Sequence, residues 1–140
     1  MRIIGLDLGT TTLGISITDS LQIIASGYEN FQFEKGNFKK AREHLIEVLE
    51  KEQVNEIVVG LPLNLDGTEG DRAISTRRFV NDVLKLKPDL IVHYEDERMT
   101  TIIASKRLHE ANLNSKKQKS FIDKMSAVVI LEDYLAKKRG

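Results

Sequence analysis

Polar and apolar residues alternate from Arg2 to Leu8. Ile4, Leu6 and Leu8 take one face; Ile3, Gly5, Asp7 and Gly9 take the other, which is the period of a strand. Gly9-Thr10-Thr11-Thr12 reads as a turn, and Leu13 to Thr18 as a second strand. Ile23 to Phe33 predicts a third strand kinked at Gly27. Three consecutive strands with short connections predict an antiparallel meander. The period then lengthens: Phe38, Ala41, Leu45, Val48 and Leu49 form one helical stripe within Phe38 to Lys51. Glu56 to Leu61 is a short apolar run ending at Pro62, a buried strand. A loop rich in Asn, Asp and Gly follows from Leu63 to Gly70. Ile74 to Leu86 predicts a helix, Asp89 to Glu95 a strand and Thr100 to Ala111 a helix. Asn112 to Gln118 reads as a polar loop and Phe121 to Lys137 as the last helix. The order βββαβαβαα implies an α/β fold with a mixed five-stranded sheet flanked by helices.

The 140 residues suit a single domain spanning 1–140, and 41% apolar residues suffice for a core. There is no cysteine, which excludes disulfide scaffolds, thiolate metal sites and thiol nucleophiles. The N-terminal apolar run is too short for a signal peptide, and no stretch is long enough to span a membrane. The chain is expected to be soluble and cytoplasmic. Its 21 basic and 21 acidic residues cancel, which argues against a protein that coats nucleic acid. The distribution is uneven: 10 Lys/Arg against 4 Asp/Glu from Arg98 onward, and 11 against 17 before it. That is either a solvated helical surface or a basic patch beside an acidic centre.

Three acids stand where apolar residues are expected. Asp7 interrupts an apolar strand on the face of Gly5 and Gly9. It either turns into a tight loop or meets a partner that offsets its burial. Glu97 ends the run Glu95-Asp96-Glu97, whose charges repel unless solvated or neutralised by a cation. Acids at a helix start are the plainer reading, although Arg98 would oppose the helix dipole. Asp123 heads the stripe Ala127, Ile130, Leu131, Tyr134 and Leu135 on the last helix. It is either a first-turn acid or a group facing a partner inside the protein. Three carboxylates together suit one or two Mg²⁺ or Mn²⁺ ions, which prefer oxygen ligands. His44, His93 and His109 are not placed for zinc and read as structural or exposed.

Four stretches carry a resemblance: Gly5-Leu6-Asp7-Leu8-Gly9-Thr10, Gly60 to Thr68, Asp96-Glu97-Arg98-Met99-Thr100-Thr101, and Asp123 to Leu131. In this order they resemble the YqgF/RuvX family, described as Holliday-junction resolvases or as pre-16S rRNA nucleases, with a ribonuclease-H-like fold. The resemblance implies that Asp7, Glu97 and Asp123 are metal-binding catalytic acids for phosphodiester hydrolysis. It implies that Arg98 contacts phosphate or orients the acids. The 60–68 loop is either a strand-to-helix connection or a phosphate cradle including Asn64. Arg72, Arg77, Lys116 and Lys117 are candidate phosphate contacts. The expected partner is nucleic acid, pre-rRNA with ribosome association or branched DNA, met by a monomer or homodimer. Two competing readings remain. Asp7-Leu8-Gly9-Thr10-Thr11 also resembles the phosphate loop of actin-like ATPases, which implies an ATP-binding module. A non-catalytic nucleic-acid-binding module would need none of the acids.

Overall fold

A computed structural model describes the backbone of residues 1–97 and 115–139, and the side chains of 1–97 and 124–139. Its elements are β1 (Ile4–Leu8), β2 (Thr12–Thr18), β3 (Ala25–Gln32), α1 (Phe38–Glu52), β4 (Glu56–Leu61), α2 (Asp71–Leu86), β5 (Ile91–Asp96) and α3 (Ser115–Arg139). The sheet order is β3-β2-β1-β4-β5. β1, β2 and β3 form the expected antiparallel meander, whereas β4 pairs parallel with both β1 and β5. The kink expected at Gly27 is a bulge: Ile15 pairs with Glu29 and Ser16 with Gly27, so Tyr28 is the extra residue.

The strand alternation sorts the sheet into two faces. Ile4, Leu6, Leu8, Leu13, Ile15, Ile57 and Val59 bury themselves with Leu45, Val48, Phe79, Val80 and Val83 of α1 and α2. On the other face Ile3 and Val58 pack against Ile130 and Leu131 of α3. That second face is stripped of bulk where the helix crosses it. A Cβ on Gly5 would collide with the Ser16 hydroxyl. It would also lie 2.6 Å from Leu131 Cγ and 2.9 Å from the Ala127 carbonyl oxygen. The Ser16 hydroxyl itself donates to that Ala127 oxygen at 2.7 Å, tying β2 to the helix backbone. Close seating of α3 therefore depends on a hydrogen at position 5. Gly5→Ala is expected to lose about 1–3 kcal/mol in urea denaturation through overpacking. A loss within error of zero would mean that α3 does not sit this close.

Two expectations change at the helix starts. α2 begins at Asp71, a turn ahead of Ile74, with Gly70 as its cap. The apolar stripe starts at Ile74, but the first turn of a helix tolerates polar residues, and an acid there suits the dipole. Lys116 and Lys117, expected in a polar loop, lie in the first turn of α3. The run Lys-Lys-Gln-Lys contains good helix formers and neither Gly nor Pro, so polarity alone does not interrupt the helix. The helix expected at Thr100 to Ala111 lies outside the described residues.

Candidate active site

Asp7 follows Gly5 by two residues on β1, so it points to the α3 side near the strand's carboxyl end. β5 runs parallel to β4 and thus to β1, which brings its carboxyl end to the same edge of the sheet. Along β5, the His93 ring packs tilted against Tyr134 of α3, while Tyr94 lies under the Arg77 guanidinium of α2. Glu95 and Glu97 therefore share the α3 side. Asp96 faces away and is exposed. The run of three acids is thus split by the pleat. Glu95, buried, pairs with Lys137. Glu97 lies just past the strand, its amide donating to the Leu61 carbonyl at 3.4 Å.

Glu97 is 7% exposed, and its Oε2 has no hydrogen-bond partner. Its carboxylate lies over Gly60 of the intervening strand β4. A Cβ on that glycine would sit 2.7 Å from Oε2 and would clash with Ile130 Cδ1. The carboxyl of Glu97 reaches that of Asp7 closely enough to hydrogen bond with it. Burial, and then the neighbouring Asp7 charge and hydrogen bond, push the Glu97 pKa up to about 9; Arg72 pulls it the other way. Without a cation, Glu97 thus holds a proton at neutral pH and donates it to Asp7. Two hard-oxygen ligands pressed together, one with an orphaned buried atom, are a donor set that suits a divalent cation.

The third acid, Asp123, lies in α3 one turn ahead of Ala127, and its side chain is outside the described residues. Among the described residues no group of three or more His, Asp or Glu gathers around one point. Arg98 is also outside them, as are the side chains of Lys116 and Lys117. Arg72 stands at the catalytic edge: its Nη2 donates to the Leu8 carbonyl at 3.2 Å, one residue past Asp7. Arg77 is turned elsewhere, its Nε and Nη2 donating to Glu69 at 2.7 and 3.0 Å.

The 63–69 turn closes on itself. Asn64 N donates to Thr68 O, Gly67 N to Asn64 O, and Thr68 N to Asp66 Oδ1, at 2.9, 2.9 and 3.0 Å. Asn64 Nδ2 donates to the Thr68 hydroxyl. Of the two readings of this loop, these three amides fit the strand-to-helix connection, since each already donates within the turn. His44 stacks on Phe31 and pairs with Glu29, and His93 pairs with Glu56. Both imidazoles are held by structural partners. His109 is outside the described residues. Gly60 is the site residue that sequence reasoning missed. Its motif was visible, but its role depends on what crosses over it.

A family model described as "RuvX: Holliday junction resolvase" matches residues 1–137. The chain belongs to this family. A Geobacillus sp. (strain WCH70) protein named "Putative pre-16S rRNA nuclease" is 41% identical over 139 residues, covering 99% of this chain and 100% of its own length. A protein of the same name from Oceanobacillus iheyensis is 36% identical over 138 residues, covering 99% and 100%. Among solved structures, Thermus thermophilus RuvC aligns over 99% of this chain and 97% of its own, at TM-score 0.61 and 11% identity. The fowlpox virus resolvase in complex with Holliday junction DNA aligns over 100% of both chains at TM-score 0.58 and 11% identity. At such identities the likeness is one of fold, the RuvC-like ribonuclease H fold. RuvX membership makes the chain a nuclease, a hydrolase of phosphodiester bonds. No helix among the described residues is long and apolar enough to cross a membrane.

Proposed function

We propose that residues 1–140 act as one nuclease domain in which Asp7, Glu97 and Asp123 hold one or two Mg²⁺ or Mn²⁺ ions. The substrate is an end of pre-16S rRNA, processed in the cytoplasm on ribosomal precursors. The observation that carries the metal reading is the Glu97 carboxylate, buried over Gly60 against Asp7 with one oxygen unpartnered. Nucleases of this fold generally use divalent metals. A cation held there would activate water and stabilise the leaving oxygen.

The chain's own residues supply the rest. Asp7 is fixed by its pairing with Gly14 on β2, one residue past the β1–β4 ladder, and Glu97 is fixed by the fit over Gly60, so neither ligand needs reorganising. Arg72 brings a positive charge to the edge where the phosphate backbone must approach. It lines a cleft of about 210 Å³ with Gly9, Thr10 and Ser75. Arg98, Asn64, Arg77, Lys116 and Lys117 remain candidate contacts farther along the substrate.

RNA is favoured over DNA by the names of the full-length relatives and by a net charge of zero, which suits a transient encounter. A Holliday junction is the second reading, favoured by the family's description. A resolvase cutting a two-fold junction symmetrically would act as a dimer. The deciding experiment offers a labelled pre-16S terminus and a four-way DNA junction to the protein with Mg²⁺, Mn²⁺ or EDTA. Metal-dependent cutting of the RNA alone is the expected result. Cutting of the junction alone, by a dimer, would replace it with the second reading.

A further inference from the structure

The cleft of about 210 Å³ beside Arg72 lies on the α1–α2 side of the active edge, between the β1–β2 turn and the first turns of α1 and α2. Leu8 and Thr76, both buried, line it. Phe38, half-buried, forms a wall, its ring steadied by Phe33 with centroids 5.7 Å apart. Asp71 and Arg72 stand exposed at the rim. Arg72 is tied to the Leu8 carbonyl, and its charge acts on Glu97, so it spans the cleft and the acids. The Asp71 carboxylate takes no hydrogen bond or ion pair from any described residue. The helix dipole suits an acid there but does not account for an apolar cleft beside it. Pockets for drug-sized ligands begin at about 300 Å³, so this cleft is of the size for a single ring system. A carboxylate at its mouth repels phosphate, and an aromatic wall favours something flat. A heterocycle with N–H groups on its edge meets both conditions.

We infer that this cleft takes the unstacked base of a nucleotide beside the cut, stacked on Phe38, and that Asp71 makes it a guanine site. The inference rests on the nuclease site proposed above. Leu8 and Gly9, which line the cleft, follow Asp7 directly in the chain. A strand draped over this edge sets its phosphate by the acids and Arg72, and its base on the α1–α2 side. An ionised carboxylate only accepts hydrogen bonds, through two oxygens. Guanine alone among the RNA bases offers two adjacent N–H donors on its Watson–Crick edge. Adenine and cytosine set an amino group beside a bare acceptor nitrogen, and uracil sets its one N–H between two carbonyls, all of which a carboxylate opposes.

The test follows the Phe38 ring by NMR in the full chain, in EDTA, as the RNA pentamers AAGAA, AAIAA and AAAAA are added. Inosine, the I of the second, lacks the N2 amino group. Wild type is expected to bind AAGAA about tenfold more tightly than the other two, the discrimination of one bidentate base contact. Asp71→Asn, whose amide matches adenine, should lose that preference or reverse it. Phe38→Leu should weaken all three by about tenfold, the loss of one stacked base. With Mg²⁺, moving a guanine by one nucleotide in the RNA terminus should move the cut by one. Equal affinity of wild type for the three pentamers would overturn the inference, as would a preference that survives Asp71→Asn. Binding that leaves the Phe38 resonances unmoved would put the base elsewhere and overturn it too. A cut that stays in place when the guanine moves would overturn the placement beside the cut. A wild type that cuts neither the RNA terminus nor the DNA junction, yet prefers AAGAA at Phe38, would bring down the nuclease reading and keep the guanine site.

Discussion

Asp7→Asn is expected to abolish metal-dependent cleavage, by on the order of a thousandfold or more. That exceeds the 10–100-fold typical when only a partner of a metal ligand is lost. Asparagine keeps the shape and loses the charge, so the fold has no reason to suffer. The apo protein should keep its stability at neutral pH, because protonated Glu97 can donate to the amide oxygen of the new asparagine as it does to the half-buried Asp7 carboxylate. The pKa of Glu97 should fall from about 9, since its second and third largest causes both come from Asp7. Cleavage assays with thermal melting and NMR titration of Glu97 would check all three effects. Lost activity with a lowered Tm would point to Asp7 as a structural residue whose carboxylate holds the β1–β2 turn.

Much of this arrangement is written in local patterns. Period-two alternation puts Asp7 on the face of Gly5, and that face is where α3 docks. The switch from meander to βαβ units gives parallel β1, β4 and β5, and with them a shared carboxyl edge for Asp7 and Glu97. The β4 strand runs from Glu56 to Leu61 as its apolar run indicates. What could not be read depends on packing between distant segments. Gly60 cradles a glutamate 37 positions later, and a glycine's sequence context does not report what lies over it. The pairing of Glu95 with Lys137 joins β5 to the end of α3, so the acid run looked uniformly repulsive when only one of its members faces Asp7. The loop after β4 stays open between two readings on its sequence alone. Its Asn, Asp and Gly residues suit a phosphate cradle and a self-satisfied turn equally well by composition, and only the hydrogen bonds distinguish them.

These placements also explain why the site should weaken the fold that carries it, and Glu97 gives the measurable case. Its folded pKa, about 9, stands above the ordinary value of 4.5 because burial and Asp7 both disfavour the charge. The folded state therefore keeps a proton that the unfolded state gives up. The resulting stability is full below pH about 4.5 and is lost as pH rises toward about 9. Within that window each pH unit removes about 1.4 kcal/mol. Glu97→Gln keeps the neutral shape and has no proton to lose. In EDTA, urea denaturation at pH 5 and at pH 8 should therefore show wild type losing about 4 kcal/mol relative to Glu97→Gln. Cleavage by the variant should be lost at both values. A divalent cation offsets the charge that the fold otherwise avoids, so Mg²⁺ should flatten the wild-type slope and leave the variant unmoved. Parallel curves for the two proteins in EDTA would mean that Glu97 is not held against Asp7 in solution, and the carboxylate pair at the centre of the site would have to be abandoned.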